Sequence, residues 1–246
     1  MTVVVAGGTR GIGLELAEGL SEPGERVFLG YASDHNSAAR ACERLTAAGR
    51  LPTAVLADLS TTAGARSLVE HASEGGTGVR VLVHSSVTVV SGSLMELSDE
   101  ALERTLAVNA TSLLWLVRAA RPVLERGSSV LYLTSRGGRH VVGGYGTVGP
   151  AKSYAEGLVR YLAVELAGAG IRVNALAPGT QDTRALHDVF GDQTDEVLRA
   201  ARAKNPSGRL VEPADYVALG RFLASNEASM VTGQSLFVYG GADLLG

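Results

Sequence analysis

The sequence predicts an α/β fold, a parallel sheet with helices packed on both faces. Three observations lead there. Seven short apolar runs recur along the chain, most of them separated by helical patterns. Runs that are apolar at nearly every position suit strands covered on both sides, as parallel strands are. The first run passes through a glycine-rich turn straight into a helical pattern. Finally, 246 residues with 46% hydrophobic content can bury the large core of a single domain.

The elements follow in order. Val3 to Ala6 is the first strand, and Gly7 to Gly13 the turn. Leu14, Leu16, Ala17 and Leu20 continue it as a helix. Val27 to Tyr31 is the second strand, followed by a helix over 36–48. Thr53 to Ala57 is the third, closed by Asp58 and followed by a helix over 62–73. Val79 to His84 is the fourth. Ser98 is an N-cap with Asp99 and Glu100 behind it, and predicts one long helix to about Glu125. Val130 to Leu133 is the fifth strand, ending at Ser135, and a helix covers 149–168. Arg172 to Leu176 is the sixth, stopped by Pro178 and Gly179. Polar short helices and loop occupy 184–210, a candidate substrate lid. A helix at 213–225 and a strand from Ser235 to Val238 close the chain. Ligands of such sheets collect beyond the C-terminal strand ends, where the glycine turn and Ser135 both fall.

Composition excludes several classes. A net charge of −3 argues against a nucleic-acid or membrane-surface role. No apolar run reaches the roughly 18 residues of a membrane span. The chain opens directly on its first strand, which leaves no room for a signal peptide. A single cysteine, Cys42, offers no internal disulfide or cysteine metal site, and the five histidines lack ligand spacing. The expectation is a cytoplasmic, metal-free protein without repeats or linkers.

The chemistry concentrates in Ser135, Tyr145 and Lys152. Lys152 and Lys204 are the only lysines, so the other 20 of the 22 basic residues are arginines. A lysine kept in such a chain suits chemistry, because an ammonium can be tuned by its surroundings and a guanidinium cannot. A phenol, an ammonium and a hydroxyl together can deliver a proton to a substrate oxygen. The strand–turn–helix at Gly7, Gly11 and Gly13 is the context of a dinucleotide fingerprint, with a helix N-terminus to meet the pyrophosphate. At the end of the second strand, Tyr31, Ala32 and Ser33 stand where a carboxylate would select an unphosphorylated ribose. Ser33 and Arg10 can instead meet a 2′-phosphate, which favours NADPH over NADH. Asp34, a few residues later, is the group that could swing in to favour NADH.

With the glycine loop, Asp58, Asn109, Ser135, Tyr145, Lys152 and Pro178-Gly179 through Thr183, the chain resembles the short-chain dehydrogenase/reductases over essentially its whole length. The resemblance implies a seven-stranded Rossmann sheet, a nicotinamide cofactor and a homotetramer or dimer. It implies cofactor contacts along Gly7, Thr9, Arg10, Gly11, Ile12 and Gly13. It places Asp58 and Leu59 by the adenine, Ser85 along the cofactor, and Pro178, Gly179 and Thr183 beside the nicotinamide. Asn109 would kink its helix and hold a water of a proton relay. Lys152 would hold the ribose and lower the Tyr145 phenol's pKa.

The tyrosine spacing departs from the usual pattern. Most members place it four residues before the lysine, where this chain has Val148. Tyr145 stands seven before, a spacing similar to the NADPH-dependent type III enoyl-acyl-carrier-protein reductases. Pro150 must lie in a helix's first turn, so the helix should start near Gly146 or Thr147. Tyr145 would then sit at its lip, between Gly143, Gly144 and Gly146, free to swing onto substrate. His84-Ser85-Ser86-Val87 and Tyr239 also depart from the pattern, and His84 is expected to be structural. The implied reaction is hydride transfer to an enoyl thioester, with a small-molecule or carrier-bound acyl substrate. The alternatives are a ketoreductase of a polyketide or similar metabolite, and a non-catalytic NADPH-binding regulator.

Overall fold

The computed structural model describes residues 2–242 and 244. Seven strands form one parallel sheet: β1 Thr2–Ala6, β2 Arg26–Tyr31, β3 Leu51–Leu56, β4 Val79–His84, β5 Leu124–Leu133, β6 Arg172–Pro178 and β7 Ser235–Val238. Their order is β3-β2-β1-β4-β5-β6-β7. The chain winds outward from β1 to β3, then crosses back to β4, which puts the switch point between β1 and β4. A crevice opens there beyond the strand ends.

Side chains alternate across the sheet. Val4, Ala6, Phe28, Val130 and Val173 face one core, packed under α3 (Thr62–Ser73), α5 (Ser112–Ala120) and α6 (Val148–Ala167). Val3, Val5, Leu29, Val83 and Leu131 face the other, under α1 (Gly11–Gly19), α2 (His35–Ala47) and α9 (Pro213–Ala224). Both faces are apolar, so β1 is buried at every position.

The helix expected from Ser98 to Glu125 runs without a break only to Ala120 and carries a π turn inside it. α4 covers Asp99–Leu106, a π-helical turn covers Ala107–Thr111, and α5 ends at Ala120. Pro122 ends the helix, because a proline there removes an amide donor and clashes with the preceding turn. Glu125 consequently lies in β5, whose register against β4 shifts between Val79 and Val81. The apolar periodicity runs through the π turn without a break and hides the inserted residue. β3 starts two residues earlier than expected, at Leu51, and carries Pro52; as an edge strand it can spare that donor. The 184–210 region holds α7 (Arg184–Phe190), a 3₁₀ turn at Gly191–Gln193 and α8 (Thr194–Lys204). Among the described residues no helix is long and apolar enough to cross a membrane.

Candidate active site

The glycine loop lies flat on the ends of β1 and β4. Gly7 has φ +76°, and a Cβ on it would stand 2.7 Å from the Ser86 amide nitrogen. A Cβ on Gly13 would stand 2.1 Å from the Gly7 carbonyl oxygen and 3.1 Å from Ser85 Oγ. Thr9 is buried beneath the turn, and Ile12 and Ser85 line the crevice. α1 then begins without a side-chain cap at Arg10. By contrast Asp34, Thr61, Ser98 and Thr183 cap α2, α3, α4 and α7 through their side chains. The first amides of α1 are therefore left for a ligand, and nothing lies within 4 Å of the place a Gly11 Cβ would take. Those residues fit a dinucleotide's pyrophosphate.

At the end expected to take ribose and adenine, Ala32 and Ser33 are exposed after β2. The Tyr31 hydroxyl lies 3.0 Å from His35 Nδ1. Arg10, expected to face a phosphate, stands 3.3 Å from the Asp34 carboxylate, with Arg184 3.9 Å from the same oxygen. Asp34 accepts from the Ser37 amide and hydroxyl, and the amide bond chiefly holds its carboxyl below the usual range. Asp58 accepts from the Ser60 amide and lies 3.7 Å from Arg104, while Leu59 is buried.

At the other end, Ser135 follows β5 and precedes a 3₁₀ turn, Arg136–Gly138. The Tyr145 carbonyl accepts from the Val148 and Gly149 amides, so Tyr145 stands at the lip of α6, with Pro150 in the first turn. Its ring packs on Gly137, where any Cβ would come within 2.5 Å of it. The Ser135 hydroxyl donates to the Tyr145 hydroxyl across 3.5 Å. The side chain thus points into the site from its glycine-flanked loop.

Lys152 is buried one turn into α6. Its Nζ donates to the Leu133 carbonyl at 2.6 Å and lies 4.7 Å over the Tyr132 ring. Burial pulls the ammonium down to about 7, against the opposing charge of Glu156. The Tyr145 phenol is pushed up by burial, and the opposing influence is the Ser135 hydroxyl, not the lysine charge that the family pattern led us to expect. Asn109 lies in the π turn. Its side chain accepts from the Thr88 amide and donates to the Thr88 carbonyl, each at 2.8 Å. Its main-chain carbonyl accepts from the Tyr132 hydroxyl. His84 is buried, 2.6 Å from Ser112 Oγ, and burial drops it to about 3, so the ring is neutral and structural.

A family model described as Enoyl-(Acyl carrier protein) reductase matches residues 6–243. The rhamnolipids-biosynthesis 3-oxoacyl-[acyl-carrier-protein] reductase of Pseudomonas aeruginosa is 34% identical over 98% of this chain and 95% of its own. Dehydrogenase/reductase SDR family member 4 of Oryctolagus cuniculus is 30% identical over 97% of this chain and 92% of its own. The chain belongs to the short-chain dehydrogenase/reductase family. Among solved structures, a single-site variant of the actinorhodin polyketide ketoreductase with NADPH superposes with a TM-score of 0.88 at 29% identity. That likeness covers 98% of this chain and 96% of the other. As a short-chain dehydrogenase/reductase, the protein is an NAD(P)H-dependent oxidoreductase.

Ser135, Tyr145 and Lys152 share one cavity of about 430 Å³ with Pro178, Gly179 and Thr183. Leu186, Val189 and Phe190 of α7 and Val197 of α8 form its apolar roof, and Phe237 and Tyr239 also line it. Thr183 Oγ1 accepts from the Leu186 amide as the α7 cap. Sequence reasoning missed a second set of residues beneath the cavity. Glu156 accepts from Thr134 Oγ1 at 2.8 Å and from Arg139 Nε at 3.3 Å, and Arg139 stacks over Phe237. Glu156 is four residues beyond Lys152, on the same helix face, a spacing that could have found it. Tyr132 carried no such signal: a tyrosine in an apolar strand reads as core.

Proposed function

We propose that this chain is an NADPH-dependent ketoreductase acting on an apolar acyl or polyketide-type ketone. One observation carries the reading: the Ser135 and Tyr145 hydroxyls stand 3.5 Å apart in the cavity that also holds Lys152. Two hydroxyls at that separation converge on a single oxygen, the arrangement a developing alkoxide needs. When bound, the nicotinamide supplies hydride to the carbonyl carbon. Tyr145, kept protonated by burial, gives its proton to the carbonyl oxygen as charge develops there. Ser135 donates a hydrogen bond to the same oxygen and orients it. Lys152 would hold the ribose hydroxyls and supply positive charge. The apolar roof over 184–210 serves as the lid and takes the acyl or ring system, and excludes water.

Arg10 and Ser33, with no carboxylate at Tyr31 to Ser33, support NADPH over NADH. A 3-oxoacyl reductase and a polyketide ketoreductase among the relatives support the carbonyl acceptor. Tyr161 and Val164, 74% and 78% exposed on the outer side of α6, support a homo-oligomer built through that helix. The second reading, enoyl thioester reduction, is favoured by the seven-residue tyrosine–lysine spacing and by the description of the matching family model.

The test is NADPH oxidation with acetoacetyl and crotonyl thioesters, using wild type, Tyr145→Phe and Ser135→Ala. The keto substrate should turn over, with a loss of about 10²-fold or more in Tyr145→Phe and about 10-fold or more in Ser135→Ala. Turnover of crotonyl thioester alone, indifferent to Ser135→Ala, would replace this reading with the enoyl one.

A further inference from the structure

We propose that Tyr132 is a positioning residue of this site: its ring face seats the Lys152 ammonium, and its hydroxyl anchors the π turn through the Asn109 carbonyl. The inference deepens the reductase reading, because it assigns what holds that reading's lysine.

Tyr132 is fully buried in β5, between aliphatic neighbours Leu131 and Leu133. A buried phenol needs a hydrogen-bond partner, and in an otherwise apolar strand it is an expensive residue to keep for packing alone. Its hydroxyl donates to the Asn109 carbonyl. A π turn inserts a residue into the helical ladder, and such turns concentrate at functional sites. Tyr132 reaches that inserted segment directly. Its register partner on β4 is His84, whose ring packs on it at 5.2 Å. His84 bonds Ser112 Oγ, which in turn donates to the Val108 carbonyl at 2.8 Å. Two paired strand positions therefore grip the same turn, one from each strand.

The ring does the second job. Lys152 Nζ sits 4.7 Å from its centroid, and attraction to a ring face is strongest where the cation is desolvated. Few charges face that ammonium. Glu156, on α6, favours the charged form but is shared with Thr134 and Arg139. His84, on β4, is held neutral, as are the Tyr145 and Tyr132 phenols. The Leu133 carbonyl takes one of the three ammonium protons. The face of Tyr132 is the remaining support for charge at a site where burial opposes it.

Because Lys152 and Lys204 are the only lysines, protein labelled with ε-¹³C lysine shows two ε signals, and Lys204→Arg assigns them. We would titrate the Lys152 signal in wild type, Tyr132→Met and Tyr132→Phe. Tyr132→Met fills the space without a ring, and the Lys152 midpoint should fall by about one unit, a tenfold change in proton affinity. An unmoved midpoint overturns the proposal. Tyr132→Phe keeps the ring and removes only the hydroxyl, so it decides the anchoring role if the Met variant does not fold. Its midpoint should stay within a few tenths of a unit of wild type, while kcat falls about tenfold as the unanchored turn shifts Lys152 relative to substrate. A Phe variant whose midpoint falls by as much as that expected of Met, or whose kcat is that of wild type, overturns it. The titration needs no substrate. A midpoint that moves as stated in a protein that reduces neither thioester would keep the role of Tyr132 and sink the ketoreductase reading.

Discussion

The two ends of this site are made of different material. The cofactor end is main chain: glycines pressed onto the β1 and β4 ends, and an α1 N-terminus that no side chain caps. The proton-delivery end is side chains held by other side chains: Tyr145 by Ser135, Lys152 by Tyr132, and Glu156 by Thr134 and Arg139. A backbone site depends on where side chains are absent. A side-chain site depends on who packs against whom, which makes it tunable and far harder to read.

Gly13→Ala should break the first end outright. The added methyl would meet the Gly7 carbonyl oxygen at 2.1 Å, backbone against backbone, so the loop must move as a unit. We expect a stability loss of about 3 kcal/mol, with NADPH affinity reduced on the order of 100-fold. Gly143→Ala, where no atom lies within 4 Å and φ is not positive, should leave both within about 0.5 kcal/mol. Urea unfolding and fluorescence titration with NADPH measure the pair.

That contrast explains what the sequence made legible. The seven strands, the glycine loop and the trio at 135, 145 and 152 announce themselves through runs of valine, glycine spacing and a rare lysine. The seven-residue gap between Tyr145 and Lys152, with Pro150 between them, correctly placed the tyrosine at the lip of α6. The π turn could not be read, because Leu102, Leu106, Leu113 and Leu116 keep a helical rhythm across it. Pro122 marks the end of α5, two residues after Ala120, and the expected helix runs past it. Tyr132 meets Lys152 across strand–helix packing, and Arg139 reaches Glu156 and Phe237 from a loop; no local spacing records either. The Arg10–Asp34 pair joins residues 24 apart that meet because β2 lies beside β1.

The second end can be tested through pH. Burial lowers Lys152 from 10.5 to about 7 in the folded protein. Between those values the unfolded chain binds a proton that the folded chain lacks. Stability therefore rises with pH across that window, by up to about 1.4 kcal/mol per unit from this group. Below about 7 both states are charged and the slope vanishes. Lys152→Met should remove the slope, seen as a smaller gain in urea midpoint between pH 7 and pH 9 than wild type shows. NADPH affinity should run the other way, falling as pH rises through about 7, since the charged form attracts an anionic cofactor. A variant with the wild-type slope would move the titration to some other group.

The smallest expected effect lies where the two materials meet. Asp34 is a side chain at the backbone-built end, and its carboxylate faces Arg10 and Arg184 while capping α2. Asp34→Asn keeps a good N-cap, because asparagine accepts the Ser37 amide as aspartate does. It removes the negative charge that competes with a 2′-phosphate for Arg10. Both partners are substantially exposed, with side-chain accessibilities of 51% for Arg10 and 35% for Asp34, and solvent screens such pairs heavily. The preference for NADPH over NADH should therefore rise only about threefold, with little change in folding. The ratio of the two dissociation constants measures it, and raising the salt should shrink the gain. A rise carried by weaker NADH binding, with NADPH affinity unchanged, would mean that Asp34 grips a ribose hydroxyl itself. Arg10 would then be the bystander, and this corner would be read by side chains after all.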